Sequence, residues 1–364
     1  MEIYHTPTRT IRPAPDACAV DIIDQTTLPH EQRSVRLVTV EDAAHAILSM
    51  QVRGAPLIGA TAAFGVALAL SCDPGDASFS HAVAMLGATR PTAVNLHWAL
   101  NRMQEIVAPL PPVARSEAAW QEARLIAEED AAQCRRIGEF GLIQLRRLAE
   151  KRGRLRIMTH CNAGWLATVD YGTALAPIYA AHDSGIDVQV WVSETRPRNQ
   201  GLLTAWELKQ HGVPHTLIAD NAAGFLLARG EVDAVIVGAD RIAANGDVAN
   251  KVGTYLKALA AREAGVPFYV AAPRSTIDFS CASGDGIPIE ERDGDEVRLI
   301  KGVDAQGQAS EIRLIPEDEA VCNPAFDITP ARLVTAIVTE RGACAASHDG
   351  LSELFPEMAH VRPG

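Results

Sequence analysis

Five short runs dense in apolar and β-branched residues recur after Gly153: RLRIMTH (154–160), VQVWVSE (188–194), HTLIAD (215–220), DAVIVGAD (233–240) and PFYVAAP (267–273). Helical stretches separate them. A strand with one wet face alternates apolar and polar residues, whereas a near-continuous apolar strand must be covered on both faces. Strands of that kind alternating with helices form a parallel sheet. The pattern predicts a doubly wound, Rossmann-like α/β domain with a mostly parallel sheet over 151–364. No G-x-G-x-x-G follows the first run, so the layout alone does not imply a dinucleotide.

The first 150 residues read differently. Short β-like runs (Ala19 to Ile23, Ser34 to Val38) mark a small β-rich start over about 1–40, and from Val40 to Leu148 the pattern is mainly helical. A chain of 364 residues exceeds what one hydrophobic core usually supports. The expectation is therefore a mainly helical N-terminal domain over 1–150 with a few short strands, followed by the α/β domain. The proline-rich run at 108–114 separates two helices and is expected near a hinge. Ala55 to Cys72 is apolar enough to raise the question of a membrane span. It is dominated by Ala and Gly, and spans normally need about 20 strongly apolar residues, so a tightly packed buried helix is the reading. The charged segment over 281–316 reads as a β-rich surface insertion.

Hydrophobic residues make up 48% and charged residues 21%, the profile of an ordinary globular enzyme. The formal net charge is −12. A sequence-independent nucleic-acid binder needs a basic surface, and no run of Lys and Arg supplies one. An acidic chain that binds phosphate must concentrate its cations locally. The seven cysteines (18, 72, 134, 161, 281, 322, 344) are scattered with no C-x-x-C pair, which indicates neither a disulfide framework nor a structural zinc site. A reducing cytoplasm fits this usage, and the N-terminus lacks a signal-peptide pattern.

In an open parallel sheet, ligands bind beyond the carboxyl ends of the strands. Those positions hold His160 to Gly164, Glu194 to Pro197, Asp220-Asn221, Asp240-Arg241 and Pro273 to Thr276. A lone cysteine such as Cys161 is commonly a small buried hydrophobe. The turn CNAG nonetheless offers backbone N–H groups at a helix start, which hold anions and depress thiol pKa values. Asp240 could cap a helix or pair with Arg241. In its apolar surroundings (Val235 to Val237, Ala243, Ala244) it could equally be a carboxyl raised into use as an acid. Cations at expected helix entrances, namely Arg53-Gly54-Ala55-Pro56, Arg90-Pro91-Thr92 and Asn250-Lys251, are candidates for a phosphate. Composition and periodicity reach an α/β enzyme for a small anionic ligand, and no further.

Eight segments together, RGAPLIG (53–59), RPTAVNLHWAL (90–100), THCNAG (159–164), ETRPRNQG (194–201), DNAAG (220–224), GADRIAANGDVANKVGTY (238–255), AAPRSTID (271–278) and NPAFDITP (323–330), resemble the methylthioribose-1-phosphate isomerase family. That family is related to the regulatory subunits of the eukaryotic translation-initiation guanine-nucleotide exchange factor. The resemblance implies a cytoplasmic homodimer of methionine salvage, with neither metal nor organic cofactor and with no nucleic-acid or membrane partner. It implies conversion of 5-methylthioribose 1-phosphate to 5-methylthioribulose 1-phosphate, with 5-deoxyribose 1-phosphate as a further substrate. It assigns proton donation to Asp240 and a catalytic role to Cys161. Substrate contacts fall to Arg53, Gly54, Ala55, Arg90, Gln200, Asn250 and Lys251. This chain departs from the family pattern in three places. The ETRP segment is one residue short, which bears on where Gln200 lies, and His97 and Arg274 replace an aromatic and a small residue, which bears on the methylthio end of the substrate.

A glycosyl phosphate has no free aldehyde, so its ring must open before carbon 2 is oxidised and carbon 1 reduced. The expectation is that protonated Asp240 donates to the ring oxygen. Hydrogen then moves from carbon 2 to carbon 1, either as a proton through Cys161 or as a hydride shift beside it; the sequence does not choose. The competing functions are a ribose-1,5-bisphosphate isomerase and a non-catalytic regulatory protein related to the exchange-factor subunits.

Overall fold

The computed structural model describes residues 1–3, 6–14, 18–91 and 93–358 of the 364. Near the N-terminus the strands Ile11–Pro13, Val20–Asp24 and Arg33–Leu37 form an antiparallel sheet. Helix α1 (Val40–Leu48) starts at a capping box. Thr39 Oγ1 accepts from the Asp42 amide at 3.1 Å, and the Asp42 carboxylate accepts from the Thr39 amide at 3.0 Å. Helices α2 (Ala55–Cys72), α3 (Asp76–Thr89), α4 (Val94–Val107) and α5 (Pro112–Arg152) follow. Pro111 and Pro112 start α5 where a missing N–H costs nothing.

Helix α2 has the length and composition to cross a membrane, but every residue from Leu57 to Leu70 is buried against the chain's own helices. Its Ala and Gly content explains this position, because small side chains let α1, α3, α4 and α5 all approach one helix closely. Helix α5, 41 residues long, serves two cores. Ala119, Trp120, Ala123, Ile126 and Ala127 pack into the first, with α2. Ile137 and Leu145 pack into the second, under the sheet.

The main sheet contains β1 (Leu155–Thr159), β2 (Val188–Ser193), β3 (His215–Ile218), β4 (Ala234–Val237), β5 (Phe268–Ala271), β6 (Ala336–Thr339) and β7 (Gly342–Cys344). Their spatial order is β7-β6-β5-β4-β1-β2-β3, with only β7 antiparallel to its neighbour. Successive residues of a strand enter opposite cores: Ile157 and Met158, Ile236 and Val237, Tyr269 and Phe268. One core is closed by α5, α6 (Ala176–Asp183) and α7 (Gly201–Gln210). The other is closed by α8 (Ala222–Ala228) and α9 (Thr254–Glu263). Burial on both faces is why four of the five runs read as near-continuously apolar; the edge strand β3 is largely uncovered.

Two features differ from the sequence reading. A second, four-stranded sheet runs in the order Ile277–Asp278, Arg241–Ala243, Val248–Lys251, Phe326–Thr329. Asn250 and Lys251 therefore end a strand, and α9 begins just beyond them at Thr254. Only part of 281–316 is a surface insertion. The hairpin Leu299–Val303/Ala309–Arg313 is largely exposed, but the stretch before it folds over the pocket and brings Arg292 into its wall.

Candidate active site

The strand order reverses between β1 and β4, and a crevice opens beyond their carboxyl ends. Cys161 follows β1 and Asp240 follows β4. One cleft there is lined by Arg53, Gly54, Ala55, Arg90, Cys161, Gln200, Asp240, Asn250 and Lys251, so all nine residues singled out from the sequence meet in one place. Thr92 of the Arg90 segment lies outside the described residues.

Cys161 sits at φ +64°, with its amide donating to Thr195 Oγ1 at 2.9 Å and its carbonyl accepting from Thr204 Oγ1 at 2.8 Å. The CNAG turn leads into a single 3₁₀ turn, Trp165–Ala167, not into an α-helix. The expected depression of the thiol pKa is absent. Burial pushes it up, and Arg53 and Lys251 only partly pull it back. Burial also raises the Asp240 carboxyl, against Lys251, Arg90 and Arg53, as the apolar flanks of the GADRI segment lead one to expect.

Arg53 reaches Asn162 twice, through Nη1 to Oδ1 at 2.5 Å and Nη2 to the carbonyl at 2.7 Å. Gly54 caps α2 at φ +94°, and a Cβ there would stand 2.4 Å from the Ala167 carbonyl oxygen, so glycine is what lets the Arg53 turn close on the cleft. Arg90, at the end of α3, pairs with Glu290 at 3.2 Å and keeps a buried Nε without a partner. Gln200 precedes α7, is buried, and has an unpartnered Oε1. Despite the shortened segment it lies in the cleft wall. Asn250 is held by Thr254 Oγ1 at 3.0 Å. Among the described residues no carboxylate pairs with Lys251, whose ammonium lies over the Phe326 ring, 5.8 Å from its centroid. Burial lowers the Lys251 pKa, while Cys161 and Asp240 support its charge.

Sequence reasoning missed two arginines in this wall, and it placed His160 at a strand end without giving it a role. Arg198 pairs with Glu296 at 2.8 Å, and Arg292 pairs with Glu290 and Glu296 at 2.8 and 2.7 Å. Arg198 lay in plain view inside ETRPRNQG, whereas Arg292 carried no local signal. His160 is fully buried, and its Nε2 donates to the Val252 carbonyl at 2.9 Å. Burial and Lys257 push its pKa down to about 3, so it stays neutral. Arg274 and His97, expected near the methylthio end, are not in the wall. Arg274 donates to the Ile277 carbonyl at 2.8 Å and stacks on Phe279 at 5.0 Å, and His97 bonds the Pro91 carbonyl at 3.0 Å. Among the described residues no group of His, Cys, Asp or Glu is placed to hold a metal ion.

An acidic chain has thus gathered five cations around one raised carboxyl and one thiol at the switch point of a doubly wound sheet, which defines an α/β protein with a pocket for a small anion. The model of the initiation factor 2 subunit family matches residues 51–346. Methylthioribose-1-phosphate isomerases from Dechloromonas aromatica and Acidiphilium cryptum are 68% and 59% identical to this chain, each over 99% of both chains. Among solved structures, 5-methylthioribose 1-phosphate isomerase from Pyrococcus horikoshii superposes with a TM-score of 0.83 at 43% identity, covering 98% of this chain and 100% of that one. The translation initiation factor eIF-2B subunit delta from A. fulgidus gives 0.79 at 36% identity, covering 96% and 100%. The chain belongs to the initiation factor 2 subunit family, on the branch of the methylthioribose-1-phosphate isomerases.

Proposed function

We propose that this chain isomerises 5-methylthioribose 1-phosphate to 5-methylthioribulose 1-phosphate, using the cleft between β1 and β4. The observation that carries the proposal is the convergence there of Asp240, Cys161, Arg53 and Lys251. Asp240, whose carboxyl burial biases toward its protonated form, donates to the ring oxygen as the bond from carbon 1 to that oxygen breaks. The hydrogen on carbon 2 then moves to carbon 1, and the proton of the carbon 2 hydroxyl returns to the Asp240 carboxylate, leaving a ketone and a complete proton balance. Arg53, Arg90 and Lys251 bind the phosphate and oppose its departure, with Gln200 and Asn250 on the sugar hydroxyls. A buried thiol that stays protonated favours transfer as a hydride shift beside Cys161 over abstraction by a thiolate.

Two features favour the methylthio substrate over a bisphosphate. The cleft wall carries apolar side chains beside its charged ones, among them Met50, Ile58 and Ala93. Arg198 and Arg292, which a second phosphate would need, are engaged by Glu296, and Arg292 by Glu290 as well, whereas Arg90, also paired with Glu290, keeps a buried Nε without a partner. The same reading takes the chain as a cytoplasmic homodimer built from a helical region to about residue 150 and an α/β region beyond it. The test is ketose phosphate formation from 5-methylthioribose 1-phosphate, 5-deoxyribose 1-phosphate and ribose 1,5-bisphosphate by the purified protein. No turnover of the first sinks the proposal, and preference for the bisphosphate replaces it. Deuterium at carbon 2 retained in product supports the shift, and washout supports a base.

A further inference from the structure

Helix α7 turns three polar side chains along one face at the spacing i, i+4, i+7: Gln200 just before its first residue, then Thr204 and Glu207. Gln200 lines the cleft and Thr204 holds the Cys161 carbonyl. Glu207 lies beneath them, 0% exposed and outside the cleft wall. An isolated buried carboxylate costs several kcal/mol or more, so one that persists must be saturated with donors. Four converge on it. Oε1 accepts from Asn162 Nδ2 at 2.6 Å and the Leu166 amide at 3.2 Å. Oε2 accepts from the Trp165 amide at 2.8 Å and the Tyr179 hydroxyl at 3.0 Å. The backbone wraps so closely that a Cβ on Gly164 would lie 1.9 Å from Oε2. Burial pushes this carboxyl up to about 7, and the bonds from Asn162 and Tyr179 pull it back toward its charged form.

The consequence runs through Asn162. Its NH₂ is committed to Glu207 and to Thr204 Oγ1 at 3.1 Å, so its oxygen must face the cleft. There it accepts from Arg53, a group with donors only. We propose that Glu207 is a positioning residue for the isomerase reaction, fixing through Asn162 the orientation in which Arg53 meets the substrate phosphate. This rests on the functional reading above. It assigns work to a side chain that touches no substrate and sits two turns from the Gln200 that does.

The sharp test is Glu207→Gln, nearly isosteric. With its oxygen kept on Trp165 and Tyr179, the new amide nitrogen faces the Leu166 amide, which loses its acceptor, and Asn162, which must flip and turn its own NH₂ on Arg53. The expected result is a KM for the sugar phosphate at least tenfold higher, about 1.4 kcal/mol, with kcat reduced less than threefold, because phosphate is bound equally before and during reaction. The calorimetric Kd for inorganic phosphate should rise by the same factor. A merely structural role does not predict that split between KM and kcat. Phosphate binding like wild type in Glu207→Gln overturns the proposal. Should Glu207→Gln not fold, Asn162→Ala leaves Glu207 its other three donors and carries the same expectation, and unchanged phosphate binding there overturns it. Phosphate affinity needs no turnover, so failure of the wild type to form ketose phosphate would strike the functional reading separately.

Discussion

Replacing Asp240 with Asn removes the proposed acid while disturbing little else. Among the described residues no donor bonds its carboxyl, and the loop is held by the backbone, through the Asp240 amide to the Ala249 carbonyl at 2.9 Å. An amide of the same shape should therefore fold normally. A positioned general acid contributes roughly 10²- to 10⁴-fold, and at 1.36 kcal/mol per decade that is about 3–5.5 kcal/mol of transition-state stabilisation. The expected kcat loss falls in that range. KM should hold or drop, because a group able to become negative has been removed from beside Arg53, Arg90 and Lys251. The pH profile supplies a second reading. An acid works protonated, and burial raises the Asp240 pKa, so wild-type kcat should fall as pH rises through that raised value. Asp240→Asn should lose this basic limb. Steady-state ketose phosphate formation from pH 5 to 9 measures both. A kcat within tenfold of wild type, or a basic limb that survives, would refute the assignment.

Three other outcomes follow from the geometry. Asp130 is buried and pushed up to about 7 from 3.8, so between roughly pH 4 and 7 the folded chain holds a proton that the unfolded chain has released, and stability declines as pH rises through that window. Asp130→Asn keeps an acceptor for the Val169 amide at 2.7 Å and should raise stability by on the order of 1–4 kcal/mol at pH 8 and hardly at all at pH 4, read by thermal melts at both. Gly54→Ala puts a Cβ against the Ala167 backbone at φ +94° and should cost about 1–3 kcal/mol in urea unfolding along with most activity; wild-type values would show that the turn relaxes freely. Cutting the hairpin back by removing 303–309 should leave kcat/KM within about twofold, since it gives the cleft no side chain, whereas Arg292→Ala should cost at least tenfold by the loss of a charged hydrogen-bond network.

Five of the seven strands of the main sheet were legible, the central ones because burial on both faces writes a continuous apolar run, as in Ala234–Val237, whereas Ala336–Thr339 and Gly342–Cys344 were not singled out. Cys161 and Asp240 were legible because a parallel sheet places its ligands at strand ends. The short strands Arg241–Ala243 and Val248–Lys251 were not, because three or four residues within a family motif show no period of their own. Arg292 was invisible for a different reason. Its segment is tied to the cleft by Glu290 and Glu296, which pair with the distant Arg90 and Arg198, and those pairs exist only once the segment has folded back over the site. The direction of the Cys161 pKa likewise depends on how deeply the turn is buried, which spacing along a chain does not record.

The long helix α5 bears on how such a chain must be made. At 1.5 Å per residue its 41 residues span about 60 Å. When it leaves the ribosome, the partners of its first half, in α2 and α4, have already been synthesised. Ile137 and Leu145 lack most of theirs until β1, α6 and the later strands follow. For that interval a rigid rod projects from a finished core with a bare apolar stripe, the kind of surface that chaperones are built to shield.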